Sequence, residues 1–290
     1  MEIRKPAVAG QFYSGGDRCL ADVKQCLPAE PLEADLPERI VAGIVPHAGW
    51  VFSGDMAGLV FSAIKQSCEK VDTFVIFGAV HRYLGSRAAV YDCGSWLTPL
   101  GEIAIDEELA GTITKIDCAE ADLGAHRAEH SIEVQVPFIQ HLFGGAKIVP
   151  IMVPPAEFAV GLGSEIGGIV AEATDKQIVC IASTDLTHYG PQYGFCPAGA
   201  GPAGLKWAKE VNDREFINLA VSMEAQKLLE TATEKGNACG PGAAAALVSA
   251  AARLGRTKGV LLGHTHSSEV MEKKFGRSSS ESVGYAAIVF

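Results

Sequence analysis

The sequence predicts an α/β fold, a single layered α/β/α domain with a central sheet that is largely parallel or mixed. Short apolar runs typical of buried strands alternate with segments of helical periodicity. Of the 290 residues, 48% are hydrophobic, which is enough to bury a large core. Neither a repeat, a low-complexity segment nor a break in composition divides the chain. We therefore expect one domain over residues 1–290.

The periodicity predicts the main elements in chain order. Strands are expected at Ile40–Val45, Thr73–Phe77, Ala88–Tyr91, Lys147–Val153, Gln177–Ala182, Gly259–Leu262 and Tyr285–Phe290. Helices are expected from Ser53 onward and at Asp106–Thr114, Ser131–Phe143, Glu157–Ala171, Asn212–Glu230 and Gly242–Leu254. Pro137 should bend the third of these helices or delay its start.

Charge and cysteine usage exclude several functions. The formal net charge is -10 and the pI about 5.3, so we expect neither a nucleic acid nor an anionic membrane as partner.

The eight cysteines form no C-x-x-C pair, and the first residues lack the apolar stretch of a secretory signal. No apolar run reaches the roughly 20 residues that span a bilayer. We expect reduced thiols and a cytoplasmic protein.

Polar, titratable residues follow several predicted strands. In open α/β sheets, ligands bind beyond the carboxyl ends of the strands, so these residues should meet at one edge. The segments are "VAGIVPHAGWVFSG", "TFVIFGAVH", "QIVCIASTDLTHYG" and "GVLLGHTHSSE", and they supply His47, His81, Asp185 with His188, and His264 with His266. A lone histidine there is usually a hydrogen-bonded loop residue, but several on successive strand ends favour a site.

A cysteine and an acidic segment add further candidates. Cys239, in "GNACGPGAAAALVSAAARLG", precedes an Ala-rich helix, whose positive N-terminus should favour the thiolate, a nucleophile or soft metal ligand. In "RAEHSIEVQVPF", Glu129, His130 and Glu133 lie around Ser131, a candidate helix cap with Glu133 in the first turn of the helix. The remaining histidines, His126 and His141, resemble surface residues.

Two chemistries fit this set. His47, His81 and Cys239 would give three ligands for iron, copper or zinc, with Asp185 and His188 orienting them or acting as general acid and base. Alternatively, Cys239 would be the nucleophile of a hydrolase, His188 its base and Asp185 the group that orients the base. The second arrangement is weaker because Asp185 and His188 are only three residues apart. No phosphate-binding loop or dinucleotide fingerprint is present.

Seven motifs, in order, give the chain a family resemblance. "RKPAVAGQFY", "VPHAGWVFSG", "FGAVH", "EHSIEVQVPF", "STDLTHYG", "ACGPG" and "SVGYAAIVF" resemble those of the Memo family (mediator of cell motility), which includes the AmmeMemoRadiSam system protein B. The family resembles the LigB-type extradiol dioxygenases in fold. The resemblance implies an iron or copper ion held by His47, His81 and Cys239, in a cleft with Asp185 and His188. Here a cysteine takes the place of the dioxygenase carboxylate, so ring cleavage is not carried over.

From residues and resemblance together we expect a metal-dependent, dioxygenase-like oxidoreductase with one iron or copper ion and a small-molecule or peptide substrate. Glu129, His130 and His264 are expected to surround and orient the ligands. The alternative is a non-catalytic module that binds a peptide or partner protein in a dioxygenase-like cleft; the Cys-dependent hydrolase is the third. The resemblance also implies radical-SAM and AMMECR-type proteins as pathway partners.

Overall fold

A computed structural model describes residues 2–83 and 85–290. Its strands are β1 (Ile3–Arg4), β2 (Ala42–Val45), β3 (Thr73–Gly78), β4 (Ala88–Val90), β5 (Ser95–Thr98), β6 (Gly101–Ala104), β7 (Ala119–Ala121), β8 (Lys147–Met152), β9 (Ile178–Ser183), β10 (His188–Tyr189), β11 (Val260–His266) and β12 (Ser282–Val289).

The helices are α1 (Arg18–Cys26), α2 (Trp50–Ser67), α3 (Glu107–Ile113), α4 (Val136–Leu142), α5 (Phe158–Glu172), α6 (Pro202–Trp207), α7 (Asp213–Val221), α8 (Ala225–Lys235), α9 (Pro241–Arg253) and α10 (Ser267–Phe275). A 3-10 turn at Glu133–Gln135 leads into α4, another lies at Pro191–Tyr193, and a π-helical turn at Ala208–Asn212 joins α6 to α7.

A mixed sheet forms the centre of the molecule, as predicted. Its strand order is β10-β12-β2-β9-β3-β8-β4-β7, with β11 paired to β12. Strands β2, β9, β3 and β8 are parallel neighbours, whereas β12 runs antiparallel to β2. The carboxyl ends of β2, β9 and β3 therefore lie side by side at one edge. A small second sheet has the order β1-β5-β6.

Two groups of helices cover the sheet. Helix α9 packs against β9, β2 and β3 and is itself covered by α5 and α8. Helix α2 packs against β12, β11 and β2, with α1, α4 and α10 around it. The central strands β2, β3 and β9 are buried over their whole length, which explains why their sequences are continuous apolar runs.

Several predicted boundaries are wrong. Helix α2 begins at Trp50, not Ser53. Gly49 is its N-cap residue, so the helix follows the turn after β2 directly. The predicted helix Asn212–Glu230 is two helices, separated at residues 222–224, where Met223 has a φ of 63°. Pro137 does delay its helix, which starts at Val136 after the 3-10 turn.

Among residues 2–83 and 85–290, no helix combines the length and the apolar character that a bilayer span requires.

Candidate metal centre at the carboxyl edge of the sheet

Three parallel strands deliver the predicted residues to one cleft. His47 lies two residues after β2, His81 three residues after β3, and Asp185 two residues after β9. The cleft has a volume of about 500 Å³. Its polar lining includes His47, His81, His130, Asp185 and His188, and its apolar and aromatic lining includes Phe12, Phe52, Tyr193, Met271 and Tyr285.

The tautomer of His47 follows from its neighbours. The Ser183 hydroxyl donates to the carbonyl of Ser131 (2.6 Å) and accepts from the Gln135 amide Nε2 (3.1 Å). Its only proton is thus used, so the His47 Nδ1 at 3.1 Å must be the donor. His47 Nε2 therefore carries a free lone pair, and this tautomer of the ring can bind a metal.

Cys239 lies against that lone pair. Its Sγ is 3.1 Å from His47 Nε2 and accepts the backbone N–H of Asp185 at 3.3 Å. The Cys239 N–H in turn donates to the Asp185 carbonyl at 3.1 Å, which fixes the thiol beside the end of β9.

The prediction that Cys239 favours the thiolate is wrong for the thiol alone. Burial, with a smaller contribution from the charge of Asp185, raises the pKa of Cys239 above its usual range. The N-terminus of α9 at Pro241 does not offset this desolvation. A thiolate at this position therefore needs a cation beside it.

Glu129 orients the second histidine. Its Oε1 lies 2.9 Å from His81 Nδ1, so His81 Nε2 is the free ring nitrogen. The same carboxylate accepts backbone N–H groups from His81 (3.1 Å), His130 (2.8 Å) and Ser131 (2.9 Å). Burial opposes charge on both side chains, yet the contact between them lowers the pKa of Glu129 and raises the pKa of His81.

Three imidazoles crowd together at the cleft. The ring centroids of His47 and His81 are 5.1 Å apart, those of His47 and His130 5.3 Å, and those of His81 and His130 4.6 Å. Burial, followed by the charge of His81, lowers the pKa of His47 well below its usual value and that of His130 to about 4. His47 and His130 are therefore neutral at pH 7 and have lone pairs to offer.

Asp185 and His188 take different places around the cleft. Asp185 Oδ1 accepts the backbone N–H of His47 at 2.7 Å, and burial raises the pKa of its carboxyl to about 7. His188 Nε2 is buried and lacks a hydrogen-bond partner among the described residues. The imidazole in contact with Cys239 is that of His47, so the Cys239–His188 pair required by the hydrolase hypothesis is not formed.

The donor atoms fit a metal ion. One ligand atom each from His47, His81 and Cys239 lie within 4.8 Å of one another, and both imidazoles have the free nitrogen that coordination requires. His81, Glu129 and His130 also group within this distance. Two imidazoles and one sulfur suit iron, copper or zinc, and leave positions open to a substrate.

The predicted place of His264 is wrong. His264 and His266 lie inside β11, which continues past Leu262, and not beyond its end. Their rings contact Asp213 instead of the cleft histidines, with His264 Nε2 3.0 Å from Asp213 Oδ2. Asp213, His264 and His266 form a separate cluster of ligand-type side chains.

Sequence reasoning named Glu133 only as a residue of the first turn of a helix and missed its buried partner Arg4. Arg4 Nη1 lies 2.7 Å from Glu133 Oε2, and Glu133 also accepts the Tyr13 hydroxyl at 3.0 Å. This pair ties the N-terminal segment to the turn that carries Gln135. Arg4 and Glu133 are 129 positions apart, so the only signal was that both lie in resemblance motifs.

Two local predictions in this region are also wrong. Ser131 does not cap a helix, because its hydroxyl donates to the carbonyl of Ala79. His126 is not on the surface: it is fully buried, and its Nε2 lies 3.0 Å from the carbonyl of Ala89. His141 is half-buried on α4.

Comparisons with known proteins agree on one family. The model of the Memo-like protein family matches residues 4–289. A protein described as "MEMO1 family protein" from Thermococcus onnurineus is 40% identical over 296 residues, covering 99% of each chain. Relatives with the same description from Pyrococcus abyssi and Pyrobaculum aerophilum are 38% and 35% identical, each covering 99% of its own length.

Proposed function

The chain belongs to the Memo-like protein family, and we propose that it is a metal-dependent oxidoreductase that uses iron or copper held by His47, His81 and Cys239. The observation that carries this proposal is the convergence of two imidazoles, each with its free nitrogen at the site, on one half-buried thiol. A LigB-like origin of the fold would account for a redox centre at the carboxyl edge of the sheet.

Each residue of the centre has a separate task in this proposal. A redox-active ion would supply electron transfer and Lewis acidity. Ser183 holds His47, and Glu129 holds His81, with the coordinating nitrogen of each ring turned toward the site. His188, which lines the cleft, is suited to exchange a proton with substrate there. Asp185, with a pKa of about 7, is suited to hold a proton near pH 7.

The substrate class follows from the cleft. A volume of about 500 Å³ accommodates a small molecule or a short peptide segment. Because sulfur replaces the carboxylate of the extradiol dioxygenases, we do not propose ring cleavage. All eight cysteines are free, which supports a reducing compartment such as the cytoplasm.

Metal content tests the proposal. Protein purified without a histidine tag is reconstituted anaerobically with Fe²⁺ or Cu⁺, and bound metal is measured by mass spectrometry. We expect one ion per chain at this centre, lost in Cys239→Ser and in His47→Ala and kept in Cys196→Ser, which changes a half-buried cysteine outside the centre. Equal metal content in wild type, Cys239→Ser and His47→Ala would contradict the proposal.

A second candidate function, binding of a peptide or partner protein without catalysis, is favoured by one observation. Phe12, Phe52, Tyr193 and Met271 give the cleft an apolar side beside the histidines. Aromatic and Met side chains are common in peptide-binding surfaces. Binding of a peptide that survives the double variant His47→Ala/Cys239→Ser, in protein that binds neither iron nor copper, would select this function over the first.

A further inference from the structure

A second cluster of ligand-type side chains lies outside the cleft. Asp213 is the first residue of α7, and His264 and His266 are two positions apart on β11, so both rings lie on the same face of the strand. The side chains are almost fully buried, with exposed fractions of 0%, 5% and 2%. None of these three residues belongs to the proposed iron or copper centre.

The two distances from the imidazole nitrogens to the carboxylate match those of neighbouring metal ligands. Both imidazole Nε2 atoms approach the same carboxylate oxygen, Asp213 Oδ2, at 3.0 Å from His264 and 2.8 Å from His266. Ligands bound at about 2.1 Å on adjacent corners of an octahedron are about 3.0 Å apart. All three donor atoms lie within 4.8 Å of one another.

The alignment of His266 distinguishes this cluster from an ordinary hydrogen-bonded one. Although its Nε2 is 2.8 Å from Asp213 Oδ2, the ring is not aligned for a hydrogen bond, and Nε2 has no partner among the described residues. A buried nitrogen without an aligned partner is unfavourable, because its lost hydration is not replaced. A cation lying between the three donors would satisfy it.

Neighbouring groups hold the donors in place. His266 Nδ1 lies 2.9 Å from Ser282 Oγ, which leaves Nε2 as the nitrogen directed at the cluster. Asp213 Oδ1 accepts the backbone N–H of Thr187 at 3.0 Å, so Oδ2 is the oxygen available to a ligand. Gly284 makes room for this oxygen, since a Cβ there would come within 2.0 Å of it.

We propose that Asp213, His264 and His266 form a second site, for a divalent first-row cation such as Zn²⁺ or Fe²⁺. Two imidazoles and one carboxylate are ligands that such ions accept, with the remaining positions left to water or hydroxyl groups. The bound cation fixes Asp213 and, through the Thr187 N–H, the turn that carries His188 at the cleft. The proposal goes beyond the proposed function and does not depend on it.

Cobalt and zinc binding in the absence of the first centre tests this site. The parent is the double variant His47→Ala/Cys239→Ser, treated with chelator and titrated with Zn²⁺ or Co²⁺ in equilibrium dialysis. We expect one ion per chain, and with Co²⁺ the visible bands of nitrogen and oxygen ligands without thiolate absorption. Adding His266→Gln should weaken binding at least about tenfold. Adding His141→Gln, a change at a half-buried histidine outside the cluster, should leave it unchanged.

A second measurement, the shift in melting temperature caused by Zn²⁺, tests the site even if a variant is less stable than the parent. A cation that binds only the folded state raises the melting temperature, so Zn²⁺ should raise it in the parent and in His141→Gln but not in folded His266→Gln. Absence of binding in the parent, or binding that is equal with and without His266→Gln, would overturn the proposal. Neither result bears on the first centre, because two of its three ligands, His47 and Cys239, are already removed.

Discussion

Among single residues, Glu129 joins two parts of the proposed centre. Its buried carboxylate accepts hydrogen bonds from His81 Nδ1 and from three backbone N–H groups. These bonds join the loop after β3 to the segment before α4. The sequence could indicate Glu129 as a candidate because it lies beside His130 in an acidic motif. It could not indicate that His81, 48 positions away, is its partner.

Replacing Glu129 by Gln should loosen His81. An amide cannot hold the Nδ1 proton as a carboxylate does, so the pKa of His81 should fall and metal affinity should drop about 10–100-fold. Histidine NMR titration and metal dialysis measure the two effects. The control is Glu38→Gln, at an exposed carboxylate. Unchanged affinity in Glu129→Gln would show that this carboxylate does not orient a ligand.

The buried His126 predicts acid sensitivity. Burial lowers its pKa to about 4 from the ordinary 6.5, so the folded state binds fewer protons than the unfolded state between these values. Its contribution to the free energy of unfolding is complete above pH 6.5 and is lost as the pH falls toward 4, a change of about 3 kcal/mol. In urea unfolding, His126→Leu should reduce the pH dependence by this amount. An equal slope in both proteins would contradict the buried neutral state.

At the scale of elements, the buried strands were predictable and the breaks between helices were not. Strands β2, β3 and β9 are apolar throughout, which the sequence displays directly. The periodicity of residues 212–230 continues across Met223, so it gave no sign that the backbone there turns left-handed and ends α7. The sequence could not indicate that β11 continues through His264, because histidine is not typical of a strand interior.

The contact of α5 with α9 depends on a glycine. A Cβ on Gly163 would lie 2.0 Å from the carbonyl oxygen of Ala246, whereas one on Gly161 meets nothing within 4 Å. Gly163→Ala should therefore destabilise the protein by about 1–3 kcal/mol through overpacking. Gly161→Ala, in the same helix, should stabilise it by about 0.5–1 kcal/mol. Chemical unfolding of both variants checks the two signs, and equal effects would mean that the helices do not approach so closely.

Across the whole molecule, the proposed centre is assembled from segments far apart in the chain. His47 and Cys239 are 192 positions apart, and the Arg4–Glu133 pair fixes the N-terminal segment to the turn before α4. The strand-end rule located His47, His81 and Asp185, because parallel strands end at one edge. It could not supply the buried partners Ser183 and Gln135, whose contacts depend on the packing of the whole fold.

The most direct test of the central claim is X-ray absorption spectroscopy of the protein loaded with one equivalent of Fe²⁺ or Cu⁺. The sample carries His266→Gln so that the second cluster does not compete. We predict one sulfur and two imidazole nitrogens around the metal, with the sulfur signal lost in Cys239→Ser and retained in Cys196→Ser. A shell that contains no sulfur, or a sulfur signal that persists in Cys239→Ser, would contradict a centre built from His47, His81 and Cys239.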